Sequence, residues 1–229
     1  FFIWFFFFFL LIFFFFFFFF WFFFFFFFTG GDEGHLYLNR KGWYSKNVQV
    51  IGGPNLYIYN IVTRWPGRFH DMTVFNACRV RYWFENTDMF GTNLLLGDGG
   101  YECRSSLLVP LRNPATDAEQ AYNSAFIKTR IAIERLFGVL KRRFPILSTG
   151  IRVSADHAER IDNYIMACAI LHNIAILEKD PVPEDESLMD QELIQPEEYS
   201  NPEEEVVDRR ARVGVRDQII RTHFTHHQQ

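Results

Sequence analysis

The stretch NLLLGDGGYE, residues 93–102, decides how the rest of the chain is to be read. Three consecutive leucines between polar neighbours predict a short strand buried on both faces, as in the inner strands of α/β sheets. The strand ends at Gly97-Asp98-Gly99-Gly100. An aspartate at the carboxyl end of a buried strand lies where open α/β sheets keep their ligand sites. Glycines beside it let a backbone and a ligand come close. The same four residues are also ordinary turn chemistry, and from this stretch alone both readings stand.

Working upstream, SKNVQVIGG (45–53) and LYIYNIVT (56–63) read as two strands joined by a GGPN loop. Alternation predicts Leu56, Ile58, Asn60 and Val62 on one face and Tyr57, Tyr59, Ile61 and Thr63 on the other. RWPGRFHD is a turn, with Trp65, Pro66 and Gly67 packed rigidly. DMTVFNACRVRYWFE (71–85) has helical periodicity, with Asp71 at its start. Downstream, PLRNPATD is a loop. A helix over 117–144 follows, capped by Thr116 or Asp117, with Glu119 and Gln120 in its first turn, and it stops before Pro145. A second, largely apolar helix covers 155–178. The Pro- and Glu-rich stretch to residue 208 reads as disordered, and RVGVRDQIIRTHF as a short terminal helix. Strands, then a helix, then a buried strand ending in Asp, then helices make an α/β layout.

The first 28 residues contain only Phe, Leu, Ile and Trp, and hold 22 of the 30 Phe of the chain. Their length would span a bilayer. They lack the residue mixture and the charged or Tyr flanks of natural spans, which argues against a membrane role. Phe codons are TTT and TTC, and the run has the composition of a T-rich DNA tract read in frame. It is expected to be an artefact of gene prediction. The formal charge of −4 hides a pattern. Residues 29–177 carry a net +4, residues 178–208 a net −12, and residues 209–229 a net +4. The body is thus mildly basic, which is compatible with nucleic acid. Three isolated cysteines, Cys78, Cys103 and Cys168, form no CxxC pair and point to a reducing, intracellular compartment.

The helix segment AIERLFGVLKRRF carries the second candidate. Glu134 belongs to the helical row Ile127, Ile131, Glu134, Gly138, Lys141. It is either a functional carboxylate or the partner of Arg130 at i−4. Gly138, a poor helix former, would suit a group passing close by. Lys141, Arg142 and Arg143 at the helix end suit the helix dipole or a phosphate backbone. Carboxylates converging from a strand end and a helix would bind two divalent cations, Mg²⁺ or Mn²⁺, for in-line phosphoryl transfer. Arg130, Lys141, Arg142 and Arg143 would then hold DNA phosphates. His172, in an apolar helix, reads as a satisfied core histidine, and His70 as a turn residue. The histidines of THFTHHQQ have no ligand spacing.

Six stretches in order, NRKGWYSKNVQV, WPGRFHDMTVF, LLGDGGY, LLVPLRNP, AYNSAFIKTRIAIERLFGVLKRRFPIL and ACAILHNI, closely resemble the Harbinger transposase-derived nuclease family of DDE-superfamily endonucleases. The resemblance runs from about Glu33 to about Leu177. It implies an α/β, RNase H-like core, a mixed sheet flanked by helices, and a metal-dependent DNA endonuclease in the nucleus, with a separate Myb-like DNA-binding protein as a partner. By this resemblance Asp98 matches the second aspartate of the DDE set and Glu134 its glutamate. Asp71 matches a further metal-binding acidic position, although it also suits the N-cap of its helix. The first aspartate, in a DGTH-like motif upstream of NRKG, has no counterpart, because the Phe run stands there. The expected organisation is therefore a Phe-rich run (1–28), a partial endonuclease domain (29–178) with its first strand missing or replaced, and an acidic tail (179–229). A catalytically inactive DNA-binding or interaction protein is the alternative.

Overall fold

Five strands form one mixed sheet in the order β3-β2-β1-β4-β5. They are β1 (Phe18–Phe26), β2 (Ser45–Gly52), β3 (Ile58–Pro66), β4 (Leu95–Leu96) and β5 (Leu107–Leu108). The computed structural model describes residues 18–26, 34–39, 41–151, 153, 157–183 and 209–225. β2 runs antiparallel to both β1 and β3, whereas β4 and β5 run parallel to β1. The helices are α1 (Gly34–Tyr37), α2 (Asp71–Asn76), α3 (Arg79–Asn86), α4 (Asp117–Arg143), α5 (Ile146–Thr149), α6 (Ala158–Leu177) and α7 (Arg209–His223).

The first strand, expected to be missing or replaced, is replaced by part of the Phe run: Phe18–Phe26 is the central strand, between β2 and β4. Phe has high β-propensity, and β2 and β4 each need a partner on that side. Residues 1–17, most of the TGGDEG segment and 184–208 lie outside the described residues.

The sheet is covered on both faces. Val48, Val50, Leu96 and Leu108 join α4, α6 and Ile220 of α7 in one apolar cluster. Ile51, Leu95 and Leu107 join Val74 and Phe75 of α2 and Val80 of α3 in the other. The alternation of Leu95 and Leu96 between the two clusters is what a strand buried on both faces requires. α4 lies close on β2 because residue 52 is glycine. A Cβ there would come within 2.5 Å of Leu136 Cδ1 and 3.0 Å of Ile133 Cδ1.

Two expectations need correction. The helix predicted over 71–85 is two helices, broken at Ala77–Cys78, with the Cys78 thiol accepting the Arg81 amide at the second start. On a continuous helix Phe75 and Val80 would lie about 140° apart; the break lets both join the same cluster. The strict alternation of β3 also fails. Register shifts against Asn47/Gln49 and Ile51/Gly52 put extra residues into β3. Ile58 and Ile61 consequently share one cluster while Val62 joins the other. Strand β5, in LLVPLRNP, had no expectation at all.

α4 begins as its sequence predicts. Thr116 Oγ1 accepts the Glu119 amide at 3.3 Å, and the Glu119 carboxylate accepts the Thr116 amide at 3.1 Å. The helix ends on a strap. Arg142 donates to the Pro183 carbonyl at 3.2 Å, while Arg143 donates to the Asp180 and Pro181 carbonyls and pairs with the Asp180 carboxylate at 3.2 Å. α6 is stitched to the start of β3 by its His172-Asn173 pair. His172 Nε2 lies 2.8 Å from the Leu56 carbonyl, and Asn173 bonds both the amide (2.9 Å) and the carbonyl (2.8 Å) of Ile58. Burial lowers the His172 pKa, so the ring is neutral, with the Nε2 proton on Leu56. His172 is a core residue bonded through Nε2, with its Nδ1 buried and unbonded.

Candidate active site

The carboxyl ends of β1, β3 and β4 and the start of β2 lie at one end of the sheet. Two of the three expected acids are gathered there. Asp98 follows β4 by one residue. Its Oδ1 accepts the Gly100 amide at 2.9 Å, and its carbonyl accepts the Tyr101 amide at 3.2 Å, closing an Asx-type turn. The turn reading and the site reading are thus compatible: the turn fixes the backbone and leaves the second carboxylate oxygen outside that bond.

Asp71 arrives from β3 through the turn at Gly67–His70. It is the first residue of α2, not its cap. His70 holds the cap position and makes no side-chain cap bond. The simple capping role for Asp71 therefore falls away. Its Oδ1 instead accepts Asn47 Nδ2 of β2 at 3.1 Å, and the same Nδ2 donates to the Phe69 carbonyl at 2.9 Å.

Tyr101, whose amide closes the Asp98 turn, is 5% exposed. Its ring packs edge-on against Phe75 of α2 with centroids 6.0 Å apart, and over Gly97, where a Cβ would come 3.1 Å from the ring. Burial pushes the phenol pKa well above its ordinary value, and the charges of Asp71 and then Asp98 push the same way, while Arg130 opposes them. Asp71, Asp98 and Arg130 therefore all act on one buried hydroxyl.

Glu134 approaches from α4. Burial raises its pKa, and Arg130, one turn earlier, pulls it back. The Arg130 charge thus acts on both Glu134 and the Tyr101 hydroxyl. The helix row that carries Glu134 is half-open, with Ile131 50% exposed. The buried stripe of α4 is instead Tyr122, Phe126, Ile133, Leu136, Phe137, Val139 and Leu140. Gly138 gives no passage to a close neighbour: a Cβ there would meet only the flexible Arg142 guanidinium, at 3.3 Å. Lys141 is exposed at the end of the row. Of the two arginines expected on phosphate, Arg142 binds the 180–183 strap through Nε and Arg143 through Nη2.

The donor set, all hard carboxylate oxygen, suits Mg²⁺ or Mn²⁺ chemically. Asp71 and Asp98 fit as a converging pair. Among the described residues, however, no group of three or more His, Cys, Asp or Glu side chains could hold a metal ion. Sequence reasoning missed Asn47 and Tyr101. The signal for Asn47 was an amide in a strand that is otherwise apolar at Val48, Val50 and Ile51. For Tyr101 it was an aromatic placed directly after the GDGG turn.

The sequence profile described as DDE superfamily endonuclease matches residues 29–173. Among curated proteins, "Putative nuclease HARBI1" of Mus musculus is 36% identical over 140 residues, 61% of this chain and 40% of that protein. The Homo sapiens protein of the same name is 34% identical over 140 residues, with the same shares of 61% and 40%. "Protein ALP1-like" of Arabidopsis thaliana is 24% identical over 169 residues, 68% of this chain and 41% of that protein. The chain spans about 40% of the length of the curated nucleases it matches. No solved structure matches.

Proposed function

The chain belongs to the DDE superfamily endonucleases, whose domain has an RNase H-like α/β fold, and from that premise we propose a transposase-derived domain built to cut DNA with divalent metal, in a copy whose cutting is impaired. The observation that carries this reading is that Asp71, held by Asn47 of β2, and Asp98, held in its turn after β4, come from the same end of the sheet. Asp71, Asp98 and Glu134 would hold Mg²⁺ or Mn²⁺, which supplies an ionised water and charge stabilisation at the phosphate. Asn47 holds the Asp71 carboxylate in place, and the Asx turn holds Asp98. Arg130 offers a positive charge to the phosphate. Attack of water on phosphorus breaks the P–O3′ bond, and the freed 3′ hydroxyl is the nucleophile for strand transfer.

The impairment lies in β1. Its sequence, FFFWFFFFF, contains no ligating side chain. The parallel register pairs Phe19 with Leu96, and the same register carried two residues further would bring Trp21 level with Asp98. A carboxylate at that level would complete the set. The test is nicking of supercoiled plasmid in Mg²⁺. The parent chain is expected to be inactive, and Trp21→Asp to gain nicking that Asp98→Ala or Glu134→Gln abolishes. Cleavage by the parent would remove the impairment. A Trp21→Asp chain that nicks equally well with Asp98→Ala would remove the site assignment.

The acid-free β1 also favours a second reading, an inactive DNA-binding or interaction module. DNA binding with no cleavage by either the parent or Trp21→Asp would select it. In both readings the nucleus is the site of action, and a Myb-like protein would supply sequence recognition. No helix among the described residues is long and apolar enough to cross a membrane. The Phe run itself is expected to be an artefact of gene prediction, and detection of a tryptic peptide that ends at Arg40 and spans Phe28 would instead show it to be translated.

A further inference from the structure

Asn39 and residues 41–43, which lead into β2, are held more firmly than a surface connection needs. Asn39 Oδ1 accepts the amides of Lys41 (2.9 Å) and Trp43 (3.1 Å). The Asn39 amide donates to the Trp43 carbonyl at 2.8 Å, and the Gly42 amide donates to the Asn39 carbonyl at 3.0 Å. Asn39 Nδ2 is anchored on Ser45 Oγ at 3.0 Å. Gly42, at φ +79°, supplies the left-handed turn. This rigid frame presents a large indole to solvent, since Trp43 is 60% exposed.

The loop stands at the site end of the sheet. The Gly67 amide donates to the Ser45 carbonyl at 2.8 Å and the Arg68 amide to the Leu36 carbonyl at 3.4 Å. These bonds tie the segment that delivers Asp71 to the chain on either side of the loop. From Gly34 to His70 the chain has five Lys or Arg and no Asp or Glu. Lys46 is buried against Asp162, whereas Lys41, Arg64 and Arg68 are exposed. The first acid after this cationic stretch is Asp71.

We propose that Asn39 and residues 41–43 bind a single-stranded stretch of nucleic acid beside the carboxylates, with Trp43 stacking on an unpaired base and Lys41 and Arg68 meeting its phosphates. Stacking on an aromatic plane needs an open base face, which a duplex hides, and cations beside it track the backbone. The inference rests on nucleic acid being the substrate class.

Binding of the full chain to a fluorescent oligothymidylate and to a blunt duplex, with EDTA present, tests it. Trp43→Ala is expected to weaken single-strand binding about 10-fold, to leave duplex binding nearly unchanged, and to leave the melting temperature unchanged. Trp43→Phe should keep most of the affinity. Lys41→Gln should weaken both and reduce the single-strand salt slope by about 0.7. Equal single-strand binding by Trp43→Ala and the parent overturns the proposal, as does an equal loss for both ligands or a parent that binds neither. Because metal is absent, failure of the nuclease reading shows separately, as binding that persists without cleavage in Mg²⁺.

Discussion

Strand β2 shows two faces to two helical layers, and they are finished differently. Toward α4 and α6 it presents Lys46, Val48 and Val50. The valines enter the apolar cluster, and Lys46, 2% exposed, meets Asp162 of α6 at 2.5 Å. Burial lowers the Lys46 pKa and raises that of Asp162, and in each case the partner's charge pulls back. Toward α2 it presents Ser45, Asn47, Gln49 and Ile51. There Asn47 serves Asp71 with its nitrogen, but its Oδ1 is buried without a partner, and so are both amide atoms of Gln49. One face is a closed core with its single charge matched. The other carries buried polar atoms that the fold leaves unmatched, next to the acids. Proteins tolerate such groups chiefly where function requires them.

The sharpest way to break this contrast is to strip the matched face of its match. Asp162→Ala leaves Lys46 buried and unpaired, and should lower unfolding stability in denaturant by roughly 3 kcal/mol, the low end for breaking a buried pair because Asp162 is 23% exposed. A loss near zero would mean that Lys46 simply sheds its proton. On the other face the sign should reverse. Gln49→Met keeps the shape of the side chain and removes an unsatisfied amide, so stability should rise by about 1–2 kcal/mol. A fall would show that Gln49 is satisfied in solution. The smallest effect concerns Glu134. Its folded pKa is raised by burial, so its ionised form costs stability above that pKa. The cost vanishes as pH falls below the unfolded value of about 4.3. Glu134→Gln should therefore raise the melting temperature modestly at pH 7, and the gain should disappear below about pH 4. A gain independent of pH would assign the effect to packing.

The elements governed by local chemistry were readable. The capping box at Thr116 and Glu119, the leucine pair of β4 and the end of α4 before Pro145 each follow from a few adjacent residues. What escaped was set by distant partners. The break at Ala77–Cys78 exists because Phe75 and Val80 must both reach one face of the sheet. The bulges of β3 are fixed by its register with β2. Strand β5 is two leucines whose strand state depends on β4. In the candidate site, Asp98 and Glu134 are proposed from type and setting, but Asn47 and Tyr101 acquire meaning only when β2, α2 and the GDGG turn are brought together. Arg142 and Arg143 looked available for phosphate because a sequence does not show that the chain beyond α6 returns to them. The Phe run was the hardest case: composition argues against a natural segment, and the sheet nevertheless has a place for nine of its residues.

The amide of Asn173 has one more effect. β3 is the outer strand of the sheet, and an outer strand is an open invitation to another chain. By taking both backbone groups of Ile58, Asn173 occupies the first rung that an incoming strand would need. The side chain that fastens α6 to the sheet is thus also a guard against edge-to-edge polymerisation, placed at the end of β3 farthest from the carboxylates, where it leaves the cationic loop open to its ligand.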